Sequence, residues 1–274
     1  MFHFLKTIHF TIFFSLLFLS SPLISSADPR ITICFYNPEV NINNYASLKI
    51  KLDTYLSSFG NYEFQPFSGI KTFESFIASK KNGVIIVSSW HYRILKEERL
   101  PLVPVLVGVL KGNSTYRKIL VSRKEIKDPY QLKQITIASA GTDDYTRSTV
   151  QEMLEGSDAD LIRSLKLLIV PKDIDALMTV GFGMSQAALT SERSLNKLAV
   201  INPNLHKSLK EIMVSKELLL PIVATLKGFS QEDNKLMEII EKMKDSSLGI
   251  SCLKMLGLDG WKKLTSIDKD VLEK

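Results

Sequence analysis

Apolar residues fall along this chain in short strand-length runs separated by stretches with helical spacing. "ITICFY" (Ile31–Tyr36) is an unbroken apolar run closed by Asn37-Pro38, the pattern of a strand followed by a turn. In "YASLKIKLDTYLSSFG", Leu48, Leu52, Tyr55, Leu56 and Phe59 recur at helical spacing, with Gly60 as the expected C-cap. "YEFQPF" predicts a strand, "IKTFESFIASKKNG" a helix ending at Gly83, and "VIIVSS" (Val84–Ser89) a buried strand. Alternation of this kind predicts a parallel sheet covered by helices.

The next segment breaks the alternation. "PLVPVLVGVLKGNSTYRKILVSR" holds two long β-rich runs joined by Gly112-Asn113, with no helix between them. A second β/α series then begins: strand "QITIAS", helix Thr149–Glu155, strand "LKLLIV", helix "DIDALMTVGF" and strand "QAALTS". After "KLAVINP" and "EIMVSKELLLPIVATL" the chain closes with helices in "QEDNKLMEIIEKMKDS" and "GISCLKMLGL". The fold class is therefore α/β, with two lobes, each an open and mostly parallel sheet flanked by helices. Two extended hinge crossings, near Val103–Leu110 and Ala199–Val214, would join them. Lobe 1 is then discontinuous (28–110 plus 205–274) and lobe 2 is 111–204. Open α/β sheets bind ligands at the carboxyl ends of their strands, which places the expected site in the crevice between the lobes.

The N-terminus changes the expected compartment. Lys6 is followed by an apolar stretch from Ile8 to Leu19 and by small residues including Ser25 and Ala27. This is the pattern of a cleaved secretory signal (residues 1–27), with the cut between Ala27 and Asp28. The run is short for the roughly 20 residues of a permanent span. Asp28 rather than a cysteine follows the cut, which argues against a lipid anchor. The expectation is a periplasmic, monomeric protein whose mature part does not span a membrane.

Composition adds three limits. At 45% hydrophobic and 23% charged residues the chain can bury a substantial core. The net charge of +6 comes from lysines and arginines spread along the chain, which gives nucleic-acid binding little support. Cys34 and Cys252 are the two cysteines. An oxidising compartment would permit a bridge, but each falls in an apolar run, so two buried thiols stand as the other reading. Neither has neighbours at zinc-ligand spacing, and no metal or other cofactor is expected. No G-x-S-x-G, H-E-x-x-H, P-loop or G-x-G-x-x-G motif occurs, so the expectation is a binding protein rather than an enzyme.

Several stretches resemble the phosphate/phosphite/phosphonate substrate-binding proteins of ABC importers, a branch of the type 2 periplasmic binding proteins. "FYNPEVN" is similar to that family's opening strand and turn, and "GVIIVSSWHY" to its ligand-facing end of a first-lobe strand. "YRKILVSRKEIKDPYQLKQITIAS" and "DIDALMTVGFGMSQAALTS" resemble second-lobe segments, although Lys133-Gln134 lacks the family's glycine. "EIMVSKELLLPIVATLKGFSQEDNKLMEII" with "LGISCLKMLGLDGWKKLT" is close to its ending and is the most specific piece. The resemblance implies hinge-closing capture of a small polar solute, a phosphonate- or phosphate-like oxyanion in that family. It also implies a partner in the membrane, an ABC permease or a sensor.

Site candidates follow from the same placement. Tyr36 and Asn37 end the first strand, and Ser88, Ser89, Trp90 and Tyr92 end another, with His91 between them as a surface or supporting residue. Hydroxyls could hold an oxyanion and the aromatics could stack on a ligand, whereas the plainer reading is a helix cap followed by packed rings. Tyr116 opens the first lobe-2 strand and Ser139 ends another. The family's hydroxyl-rich anion turn is matched by Gly141-Thr142-Asp143-Asp144-Tyr145, in which Thr142 and Tyr145 keep the pattern and two aspartates depart from it. Gln186 stands where the family often has an acid, and Arg147 could pair with an anion or with Asp143 or Asp144. The aspartates leave three readings open: a cationic or zwitterionic ligand, acids turned outward as helix caps, or a lost phosphonate site. Ser148-Thr149-Val150-Gln151 also offers a capping box that would start the helix later.

Overall fold

A computed structural model describes residues 30–39, 44–80, 83–123, 129–155, 159–226 and 230–273. The expected signal segment, with its Ala27/Asp28 cut, lies outside these residues. The chain starts with β1 (Ile31–Tyr36), whose unbroken apolar run has a simple cause. Ile33 and Phe35 enter the core on one face of the sheet, while Cys34 and Tyr36 enter the core on the other. Alternate side chains point to opposite faces, so a sheet covered on both sides needs apolar residues at every position.

Helix α1 (Tyr45–Ser57) is capped by Asn44, whose side chain accepts from Ser47 N, and buries Leu48, Leu52, Tyr55 and Leu56. It ends before Gly60. Then come β2 (Tyr62–Pro66), α2 (Ile70–Ala78), β3 (Gly83–Val87), α3 (Ser89–Glu97) and β4 (Leu102–Val109). A short hinge strand, β5 (Thr115–Tyr116), leads into the second lobe. That lobe holds β6 (Lys118–Arg123), β7 (Thr136–Ser139), α4 (Asp143–Met153), α5 (Ala159–Ser164), β8 (Lys166–Ile169), α6 (Asp173–Gly181), β9 (Ala187–Ser191), α7 (Glu192–Ile201), α8 (Pro203–Ser208) and β10 (Leu209–Val214). The chain returns through β11 (Leu218–Leu219) to β12 (Ile222–Leu226), α9 (Gln231–Glu241), α10 (Ser247–Leu256), β13 (Gly260–Lys263) and α11 (Ser266–Glu273).

The first sheet runs β13-β4-β12-β3-β1-β2 and the second β10-β6-β9-β7-β8. Strands linked by helices pair in parallel, as β1 does with β2 and β3, and β7 with β8 and β9. Strands that arrive through the hinge, β12 and β6, pair antiparallel with their neighbours. Each sheet has its own apolar layers on both faces. Burying one large apolar side chain contributes about 1.5–3 kcal/mol, so each lobe is held by its own core.

Three expectations need correction. Val103–Leu110 is not a free crossing: nearly all of it lies in β4, hydrogen-bonded between β12 and β13. The stretch from Ala199 is helical, because Leu195 and Leu198 fall on one buried face of α7 and Asn202 caps α8 at Pro203. Beyond it, β10 pairs with β6, so Leu209–Val214 belongs to the second sheet rather than to a first lobe resuming at 205. The crossings are instead the segments around β5 and β11, which pair antiparallel as a two-stranded ribbon, Tyr116 opposite Leu218 and Thr115 opposite Leu219.

Candidate functional site

The two lobes meet where β1, α3 and the ribbon face the start of α4. On the first-lobe side, the turn after β1 is fixed by Asn37, whose Oδ1 accepts from Glu39 N at 3.0 Å. This turn carries the Glu39 side chain inward. Beside it, Ser88 in extended conformation caps α3 by accepting from His91 N, and the first turn of that helix presents Trp90. On the second-lobe side, Thr142 caps α4 by accepting from Tyr145 N, and Tyr145 projects back over Gly141.

Four contacts cross the seam. Thr142 N donates to Pro38 O at 2.8 Å, Trp90 Nε1 donates to Ser148 Oγ at 2.9 Å, and Arg93 meets Glu152 at 3.1 Å. The Trp90 ring stands edge-on to Tyr145, with centroids 5.4 Å apart. The seam is tight at Gly141, where an added Cβ would lie 2.3 Å from the Tyr145 ring and 3.3 Å from Pro38 O. Only glycine allows both approaches.

At the centre lies an unusual set of buried polar groups. Glu39 is 5% exposed, and one carboxylate oxygen accepts a short hydrogen bond from the Tyr116 hydroxyl. Its other oxygen, Oε1, has no partner among the described residues, while the Tyr145 hydroxyl faces the hydroxyls of Tyr116 and Thr149. Lys118, at the start of β6, is 3% exposed and binds Asp173 at 3.0 and 3.2 Å. Asp173 Oδ2 also accepts from Ser191 N, and the Lys118 ammonium lies 5.8 Å from the Tyr145 ring centroid. Burial pushes the Glu39 carboxyl up to about 7; Lys118 and the Tyr116 hydrogen bond oppose that rise, and Asp173 adds to it. Burial, and then the Glu39 charge, push the Tyr116 and Tyr145 hydroxyls well above the usual tyrosine value.

The other candidates divide. Tyr36 is buried, stacked on Phe73 and edge-on to His91, and burial pushes its hydroxyl up to about 12. Ser89 Oγ donates to Leu219 O, tying α3 to the ribbon, and Tyr92 packs in the first-lobe core. His91 is fully buried rather than superficial: it meets Glu74 at 3.0 Å through Nε2, and burial lowers its pKa. Ser139 Oγ accepts from Thr146 Oγ1 and Gly141 N, shaping the turn. Gln186 Oε1 accepts from Thr136 N at a sheet edge.

The two aspartates of the turn are exposed in the first turn of α4, where acids complement the positive end of the helix dipole. Asp143 pairs with Arg147, which also donates to the carbonyls of Ile162 and Leu165 and so fastens α4 to α5. The helix therefore starts at Asp143, six residues before the expected Thr149, and Ser148 is left free to receive the Trp90 N–H. Cys34 and Cys252 are separate buried thiols, so the bridge is excluded. Among the described residues no group of three or more His, Cys, Asp or Glu could hold a metal ion, and no helix is long and apolar enough to cross a membrane.

Concavities also lie away from the seam centre. One, of about 110 Å³, sits at the amino end of β1 beside Arg30 and Gly83. Another, of about 270 Å³, lies between Arg123, Gly181 and Leu205. A third is an open groove of about 1020 Å³ behind the hinge, between the ribbon and α7, with Tyr116 on its wall. The seam is the stronger candidate because strand ends, helix starts and both lobes converge there.

No family model matches the chain, and no curated protein matches it in sequence. Solved structures do match. XAC2383 from Xanthomonas citri, solved with chloride and with ATP, superposes with a TM-score of 0.64, 12% identity and coverage of 89% of this chain and 95% of the other in the chloride form. PhnD1 from Prochlorococcus marinus with methylphosphonate gives 0.60, 11%, 89% and 96%. The binding component of an ABC phosphonate transporter from Pseudomonas aeruginosa gives 0.58, 13%, 88% and 83%. The fold is that of the periplasmic binding proteins. The seam described above lies between the two lobes of that fold.

Sequence reasoning missed Glu39, Lys118, Asp173 and Arg93. Glu39 follows a strand-ending Asn-Pro turn, so its position at a strand's carboxyl end was the available signal. Lys118 stands out only as a lysine at the head of a buried β-run.

Proposed function

We propose that this protein captures a small polar solute between its lobes and hands it to an ABC-type importer. One observation carries the reading: the lobes, each with a core of its own, meet through a two-segment ribbon and a seam of hydroxyls, amide N–H groups, charges and rings. An interface meant to stay shut would bury aliphatic side chains, whereas this one leaves a Glu39 carboxylate oxygen at its centre without a partner among the described residues. A ligand that touches both lobes favours the closed state by its differential affinity for it. Export through the N-terminal signal would put that cleft where solutes are collected. No turnover of the captured solute is part of the reading.

Thermal unfolding with a solute panel tests it. A ligand at a hundred times its Kd should raise stability by about 2.7 kcal/mol, and solution scattering should show closure on the same addition. A protein whose scattering profile and melting temperature respond to no small solute would sink the reading.

A further inference from the structure

We propose that Glu39 is the specificity-determining residue of this cleft and that it selects solutes carrying an ammonium group over oxyanions. The proposal rests on the solute-binding reading above and names the ligand class for the same cleft.

The first argument is charge. The buried set at the seam centre holds two carboxylates, Glu39 and Asp173, and one ammonium, Lys118. Lys118 is already engaged by both oxygens of Asp173. Arg93 is held at the rim by Glu152. With Glu39 ionised, the centre lacks one positive charge. A buried carboxylate without a cation is strongly disfavoured, and a ligand cation would supply what the fold omits.

Hydrogen bonding gives the second argument. Glu39 Oε1 is a buried acceptor with no donor among the described residues. An ammonium group has several N–H donors to offer it and brings the opposite charge. An oxyanion brings like charge and can donate to Glu39 only through an oxygen that keeps its proton. The walls agree: Tyr116 bonds the carboxylate, Tyr145 faces it with Trp90 edge-on to its ring, and that ring already has the Lys118 ammonium near it. Rings placed this way favour cations.

The groups facing Glu39 are Tyr116 from β5, Tyr145 from α4, Lys118 from β6, Asp173 from α6 and Arg93 from α3. In the closed, ligand-free cleft burial keeps the Glu39 carboxyl half protonated near pH 7. An ammonium ligand must then displace that proton. Its affinity should fall as pH drops below about 7, approaching tenfold per unit, while the tyrosines, whose hydroxyls burial pushes well above their usual value, keep their protons throughout.

Isothermal titration of the purified protein decides the matter, with ethanolamine, putrescine and choline set against methylphosphonate and phosphate, and with sodium and potassium chloride as a further arm. The expected result is binding of at least one amine and of neither oxyanion, with amine affinity reduced at least tenfold in Glu39→Gln and several-fold in Tyr116→Phe. Circular dichroism checks that both variants fold. Glu39→Asp should retain part of the affinity. Oxyanion binding by the wild type, alkali-ion binding equal to that of the amines, or amine binding unchanged in a folded Glu39→Gln would each overturn the proposal while leaving solute capture standing. Absence of any binding, together with no change in scattering, would remove both.

Discussion

The cores of the lobes and the seam between them follow opposite rules. In the cores, Phe64, Leu120 and Leu177 are completely buried among aliphatic and aromatic neighbours, and the polar side-chain atoms left without a partner among the described residues (His91 Nδ1, Thr225 Oγ1 and Trp261 Nε1) sit singly within that packing. At the seam, a carboxylate oxygen is buried without a partner among the described residues, and the contacts that close it are single hydrogen bonds, one ring edge and one ion pair. Dense apolar packing commits a region to one arrangement. A seam of individually weak polar contacts can part and re-form at low cost, which is what a cleft that admits a solute requires.

The largest test of this contrast lies in the core. Phe64→Ala removes a fully buried ring packed against Phe35 and should cost about 3–5 kcal/mol of folding stability in chemical denaturation. A loss below 1 kcal/mol would mean that the first lobe is not held by this core. Next in size is the pH response of the seam. Burial raises the Glu39 pKa from an ordinary 4.5 to about 7, so the closed folded state holds its proton more tightly than the unfolded chain does. The stabilisation from this group is therefore present below about pH 4.5 and is lost as pH rises toward 7, amounting to about 3 kcal/mol across that window. Melting temperatures measured from pH 4.5 to 8 should show this decline in the wild type and a flatter profile in Glu39→Gln. The smallest effect belongs to the rim. Arg93→Ala should change folding stability by less than about 1 kcal/mol and should lose its effect in high salt, because the pair with Glu152 is partly exposed. A larger or salt-independent loss would show that the rim holds the lobes together in earnest.

What could be read before folding depended on range. β1 was legible to the residue, because a strand buried on both faces is apolar at nearly every position, and in "ITICFY" the half-buried Thr32 alone departs from that. The helix after "IAS" was placed six residues late, since Thr142 and Ser148 both offer hydroxyls for capping and their neighbours do not discriminate. The structure assigns the cap to Thr142 and turns Ser148 toward Trp90. The candidate site was half legible. Trp90, Tyr116 and Tyr145 could be placed at the cleft because they sit at strand ends or helix starts, whereas Arg147 and Gln186 proved to fasten their own lobe.

Local spacing alone determined that this chain makes two α/β units with extended passages between them, because the period of apolar positions is written residue by residue. Particular stretches, "EIMVSKELLLPIVATLKGFSQEDNKLMEII" above all, carried the resemblance to periplasmic binding proteins. Only the tertiary structure decided that Glu39, Tyr116, Lys118, Tyr145 and Asp173 come together in one buried polar cluster. They come from five separate elements, and burial, which moves the Glu39 carboxyl toward neutrality, exists only after both lobes have closed over it. A carboxylate in a turn reads as a solvated charge until the fold shows what covers it.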